Sequence, residues 1–392
     1  MRQRGILRGY DGILLVLVFV LVTVGIVMVY SASFKFAAER HGSGDYFLKR
    51  QLVFAALGIL AMMGLMRFDY RVLRERKAVY GILLGILLLL VLVLIPGIGV
   101  EVNGTRRWMR LGPLNVQPAE LAKFGVILFL ARSLVEKRDR IRTFEFGFLP
   151  HILIPGVFAL MILAQPDFGN AVIVGAIAMI MMFAAGVRWR YLTGLGLAGL
   201  AGVAALVAVS PYRLKRVMVF LNPWEDPQGS CYQIVQSLIA FGSGGLFGKG
   251  LGEGRQKLFY LPELHTDFIF SNVGEELGLA GVLVMMILFV LLIYRAFRIA
   301  LLAPDRFGTM LGFGIASLLA LQVTINMGVV MSILPTKGLV LPFISYGGSS
   351  LLVSLGMVGI LLSISSRSEA FLERSRAGLV NTRRPGVFEE GG

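Results

Sequence analysis

The sequence predicts an all-α polytopic membrane protein of about ten transmembrane helices, and three observations carry the prediction. The first is composition. Of 392 residues, 56% are hydrophobic and 16% charged, and mean hydropathy is +0.78; a soluble domain is nearer half apolar and one quarter charged. The second is length, because several runs near twenty residues carry almost no charge, which suits a helix crossing ~30 Å of hydrocarbon. The third is the lack of the alternating pattern that a membrane barrel needs.

The spans follow in order. Arg2, Arg4 and Arg8 precede the first, Ile13–Val29. A basic start before an apolar run resembles a signal peptide, and Ser31-Ala32-Ser33 is faintly cleavage-like, but the further spans favour an uncleaved anchor. Those spans are Leu52–Met66, Tyr80–Val100, Pro118–Leu134, Phe148–Ala164, Gly169–Val187, Tyr191–Ser210, Val273–Tyr294, Phe307–Val330 and Tyr346–Ser363. No internal repeat is visible, so the inverted-repeat signature of many transporters is missing.

Net charge is +15. In a soluble protein that would suggest nucleic acid; here it follows from the Lys and Arg that collect in cytoplasmic loops. Segments such as Arg71–Lys77 are denser in cations than the alternate loops, which puts both termini in the cytoplasm and the long loop of about residues 211–272 outside. The expected organisation is one transmembrane domain, 1–366, with a cytoplasmic tail, 367–392. A single cysteine, Cys231, excludes an internal disulfide. His41, His151 and His265 have no zinc-ligand spacing, and no metal ligands are assigned.

This topology gathers scattered polar residues at the outer ends of the spans. Residues 222–278 form a polar, Gly-rich stretch that contains Gln233 and ends near His265-Thr266-Asp267-Phe268. Arg106, Arg107 and Arg110 lie in an earlier outer loop, and Gln117-Pro-Ala-Glu120-Leu-Ala-Lys123 opens span four. Gln165-Pro166-Asp167 ends span five, Glu275 and Glu276 lie early in span eight, and Lys337 and Ser345-Tyr-Gly-Gly-Ser349 bracket the last outer turn. Each has an ordinary reading: the arginines as headgroup anchors, Glu120 and Lys123 as a local i, i+3 ion pair, Asp267 as a solvated loop carboxylate. Charged groups inside a membrane cost roughly 2.5–3.5 kcal/mol each on insertion scales, so their convergence implies a polar cavity opening outward.

Six blocks resemble the SEDS family (shape, elongation, division and sporulation proteins): Asn103–Pro113, Gln117–Lys123, Gln165–Gly169, Tyr260–Phe270, Gly274–Gly278 and Leu334–Ser350. They run in order along essentially the whole chain. Asn222–Pro227 with Pro335-Thr-Lys337 is more similar to the division branch than to the elongation branch, and a sporulation paralogue stays open. Phe168 and Asn170 stand where the family pattern has Leu and Thr.

The resemblance implies a peptidoglycan glycosyltransferase in the bacterial cytoplasmic membrane that joins lipid II units and releases undecaprenyl diphosphate. It implies Asp267 as the catalytic carboxylate. Arg106, Arg107, Glu120, Lys123, Gln165, Asp167, Gln233, His265, Glu275, Lys337, Ser345 and Ser349 are the expected substrate-binding residues. Expected partners are a class B penicillin-binding protein and other divisome membrane proteins, with no nucleic acid. No cofactor is required, and assistance by a divalent cation is left open. The residues suit the chemistry, since attack by a sugar hydroxyl needs a base and a departing diphosphate needs cations. A lipid II flippase would want ionisable residues through the full membrane depth, whereas these cluster at one end. A non-catalytic scaffold would not explain Asp267 with Glu120 and Lys123.

Overall fold

The computed structural model describes residues 9–102, 105–112, 114–209, 222–229, 231–258, 260–335 and 338–376. Among the described residues the helices are α1 (Gly12–His41), α2 (Tyr46–Arg67), α3 (Arg76–Leu94), α4 (Pro118–Glu136), α5 (Leu149–Leu163), α6 (Phe168–Ala184), α7 (Trp189–Ala208), the short α8 (Tyr232–Gly244), α9 (Ile269–Leu301), α10 (Arg306–Val330) and α11 (Gly348–Arg376). Seven of these segments are long and apolar enough to cross a membrane: α1, α2, α3, α5 with its preceding turn, α9, α10 and α11 as far as Ser368. The chain is therefore a predominantly helical, multi-pass membrane protein.

Local chemistry sets the helix ends. Pro118 occupies the first turn of α4, where its missing N–H is no loss. Asp11, Asp167 and Asp305 cap α1, α6 and α10, each accepting a backbone N–H three residues on, at 2.9, 3.1 and 2.9 Å. Two of these caps also tie helices together. Asp11 pairs with Arg295 of α9, while Asp305 receives the Tyr70 hydroxyl and lies 3.2 Å from Arg71. Asp69 pairs with Arg367 at 3.1 Å, and α11 continues unbroken through that position.

α10 and α11 form the centre. α11 runs against α2, and α10 packs against α9, α4 and α6. Lipid tails are as apolar as leucine, so this packing rests on close contact rather than on expulsion of water. At Gly25 of α1 a Cβ would sit 2.3 Å from the carbonyl oxygen of Phe343, so the segment 338–347 presses directly onto the middle of that helix. Leu84, Leu88, Leu283, Ile287 and Val290 are exposed on α3 and α9, as lipid-facing residues should be.

One element departs from the all-α expectation. The loop before α4 forms a three-stranded antiparallel sheet of β1 (Gly99–Val102), β2 (Thr105–Leu111) and β3 (Leu114–Val116). Its sequence signal is Asn103-Gly104 between two β-forming runs, a strong two-residue hairpin cue.

α9 is broken at Gly278, whose φ of 66° and ψ of −166° are closed to other residues. The segment 245–250 repairs the break. Lys249 and Gly250 donate their N–H groups to the carbonyls of Glu275 and Glu276 at 3.1 and 3.0 Å, and Leu279 and Ala280 donate to Gly245 and Leu246 at 2.9 and 3.0 Å. Every freed backbone group named here thus finds a partner, which a spanning segment requires.

Candidate functional site

Asp267 lies two residues before α9, in a turn closed by Glu263. Glu263 adopts φ 55°, and its carbonyl accepts the N–H groups of Thr266, Asp267 and Phe268 at 3.2, 3.2 and 3.3 Å. Asn326 of α10 donates to the Asp267 carbonyl at 3.0 Å and to that of Leu339 at 2.5 Å. On the other side stands Gly338, where a Cβ would approach Asp267 Oδ2 to 2.8 Å. The Asp267 carboxyl titrates at about 7, well above its ordinary value: burial is the main cause, the charges of Glu263 and Asp167 add to it, and the Arg107 guanidinium opposes them.

A register shift separates the two neighbouring arginines: the pairing passes from Val100 with Trp108 to Glu101 with Arg106, which leaves Arg107 as the bulged residue of β2. Arg106 pairs across the sheet with Glu101 at 3.2 Å, and both line a shallow cleft of about 330 Å³ with Leu94, Thr105, Gln165 and Pro166. The charge of Arg107 acts on Asp267, and among the described residues its buried Nε has no hydrogen-bond partner. The structure therefore joins Arg107, and not Arg106, to the carboxylate.

Asp167 is buried and accepts from Gln117 Nε2 at 2.9 Å and Asn170 Nδ2 at 2.8 Å. The backbone N–H of Gln117 donates to Ser349 Oγ at 2.9 Å, and that hydroxyl donates to the Asn115 carbonyl at 3.1 Å. These bonds gather the starts of α4, α6 and α11 with β3 around one point. Gln165, two residues before Asp167, turns away and donates to the Leu90 carbonyl at 3.0 Å. Ser345 Oγ accepts the Leu341 N–H at 2.8 Å and shapes the segment beside Gly338. Glu120 and Lys123 form a buried ion pair at 2.7 Å inside α4.

Glu275 and His265, two other predicted residues, have contacts of their own. Glu275 is completely buried and holds the segment 249–256: it accepts from Lys249 Nζ at 2.8 Å and from the N–H groups of Arg255 and Gln256 at 2.9 and 3.1 Å. Glu276 accepts the Ser31 hydroxyl at 2.6 Å. This pair seals the broken helix instead of facing an open cavity. The His265 ring lies 4.6 Å from Phe47 and 5.8 Å from Tyr346, in an aromatic cluster; its burial lowers its pKa to about 4 against the opposing charge of Glu263, so it is neutral at pH 7. Gln233 is half-buried on α8. Lys337 lies outside the described residues.

Glu263, Asn326, Gly338, Gln117 and Asn170 shape the site without having been assigned a role from sequence. Asn326 and Gln117 stand out in the sequence as polar residues at span ends. Glu263, Gly338 and Asn170 carry no such signal, because their roles depend on segments distant in the chain.

The fold and the site define a class: a multi-pass membrane protein with a carboxylate of raised pKa beside a guanidinium at one end of its helices. A family model described as Cell cycle protein, covering FtsW, RodA and SpoVE, matches residues 12–370, and the chain belongs to this family. It is 49% identical over 360 residues to the Probable peptidoglycan glycosyltransferase FtsW of Geobacter sp. (strain M18), covering 92% of this chain and 98% of that protein. It is 46% identical over 358 residues to the Stage V sporulation protein E of Bacillus subtilis (strain 168), covering 91% and 97%. Among solved structures it resembles a chain described under "Structural coordination of polymerization and crosslinking by a peptidoglycan synthase complex", with TM-score 0.76, 34% identity and coverage of 92% and 99%.

Proposed function

We propose that this protein is a peptidoglycan glycosyltransferase that polymerises lipid II at the outer face of the bacterial cytoplasmic membrane during cell division. Relatives that are half identical over nearly their whole length, and named for that activity, support the reaction class. The observation that carries the mechanism is Asp267, a half-buried carboxyl with a pKa of about 7 beside Arg107. A base is most effective when its pKa is near the working pH. In the proposed step Asp267 takes the proton from the acceptor sugar hydroxyl. That oxygen bonds to the anomeric carbon of the donor, and the bond to the diphosphate breaks. Arg107, whose Nε has no hydrogen-bond partner among the described residues, receives the developing negative charge, and Lys337 is a further cation for the same purpose.

The proposal includes ten membrane crossings, both termini in the cytoplasm and a single domain over residues 1–366 with a tail beyond. It also includes septal location and a partner that crosslinks the strands, a class B penicillin-binding protein. Support for the partner is the likeness to a structure described as coordinating polymerisation with crosslinking. A sporulation role is the second reading, favoured by the 46% identity to Stage V sporulation protein E.

The test uses the full chain in proteoliposomes with labelled lipid II in one leaflet at a time, with and without a transpeptidase partner. Glycan strands should form from the outer-equivalent leaflet. Label confined to the inner-equivalent leaflet should stay there unless a separate flippase is added. Protein-dependent transfer that survives Asp267→Asn would overturn the proposal in favour of a transporter.

A further inference from the structure

We infer that Asn326 is a positioning residue for Asp267: its side-chain amide clamps the turn that carries the carboxylate to the segment 338–341 that walls it. The inference rests on the role of Asp267 in the proposed function. Asn326 is 1% exposed on α10, and Nδ2 donates to two carbonyls from different parts of the chain, Asp267 at 3.0 Å and Leu339 at 2.5 Å. An amide nitrogen carries two hydrogens, so one side chain can satisfy both. A carboxylate in its place could donate to neither, and leucine has the bulk without the donors.

Geometry explains why such a clamp matters here. The segment clamped through Leu339 begins at Gly338, which leaves less room beside Asp267 Oδ2 than a methyl group requires. The Tyr346 N–H, donating to the His265 carbonyl at 2.9 Å, joins the same two stretches a little further along. The carboxylate therefore lies between a turn set by Glu263 and a wall set by residue 338, and Asn326 fixes the gap between them. A displacement of ~1 Å at a reacting group can cost on the order of 10²-fold in rate.

The experiment compares wild type, Asn326→Leu, Gly338→Ala and the double variant as full-length reconstituted protein. It measures kcat and KM for lipid II, the pH profile and the thermal midpoint. Asn326→Leu should lower kcat by roughly 10–100-fold with KM changed less than about twofold, and should move the midpoint of the acid limb. The charges facing Asp267, on Glu263, Asp167 and Arg107, would then act on a displaced carboxyl. Two variants acting through one displacement are non-additive, so the double variant should be no slower than the worse single. Wild-type kcat and pH midpoint in Asn326→Leu, or additive losses that track a fall in thermal midpoint, would overturn the inference. If Asn326→Leu does not fold, Asn326→Ser retains one donor and should give an intermediate kcat; unchanged kcat there would also overturn it. Wild-type protein that makes no glycan would instead count against the proposed function.

Discussion

Lys123 Nζ lies 2.7 Å from Glu120 Oε1 within the first two turns of α4, and the two side chains are 1% and 5% exposed. Removing one partner leaves a buried charge unpaired, which typically costs about 3–5 kcal/mol, whereas removing both does not. Glu120→Gln and Lys123→Met should each destabilise the protein, and the double variant should recover most of the thermal midpoint. If the pair is also a charged floor for substrate, the double variant stays defective in polymerisation. Full activity in the double variant would reduce the pair to a structural clasp.

Asp267→Asn should lower polymerisation by roughly 10²–10⁴-fold, the usual contribution of a general base. In wild type the ionised carboxylate is the active form, so activity should rise with pH through a midpoint near 7. The stability effect has the opposite sign. A carboxyl whose pKa is raised in the fold contributes stability at low pH that is lost as pH rises through about 7. Asp267→Asn, which cannot ionise, should therefore be at least as stable as wild type at pH 8 in a thermal melt.

The two neighbouring arginines should separate cleanly. Arg107 lowers the Asp267 pKa, so Arg107→Met should shift the acid limb to higher pH and also reduce kcat. Arg106 forms a half-exposed pair with Glu101, of a kind worth ~0–1 kcal/mol. Arg106→Met should leave the limb in place and change kcat by less than about threefold. Equal effects of the two variants would contradict the assignment of Arg106 to Glu101 and of Arg107 to Asp267.

At Gly278 a Cβ would meet the backbone nitrogen of Gly248 at 2.3 Å, and the φ of 66° adds strain. Gly278→Ala should lose at least about 1–3 kcal/mol from the backbone conformation alone. The loss should appear as reduced yield of folded protein and a lower thermal midpoint. Normal stability would mean that the segment 245–250 adapts to the extra atom.

Much of this protein was legible before any coordinates, because a membrane makes length and apolarity decisive. Among the described residues seven helices meet those criteria, and Pro118, Asp167 and the block around Asp267 mark where helices meet polar groups. Glu120 and Lys123 are one helical turn apart, so their pairing is a local property of α4. What only the tertiary structure decided is which polar residues meet. Glu275 sits eight residues beyond Asp267, yet it is taken by Lys249 and by the backbone of Arg255 and Gln256, because a helix broken at Gly278 needs that segment to satisfy its freed groups. Asn326 and Gly338 reach Asp267 from 59 and 71 positions away. Sequence spacing governs contacts within one helix or strand; between segments, contacts follow from how buried backbone groups are satisfied and how side chains fill space, and those are properties of the packed bundle.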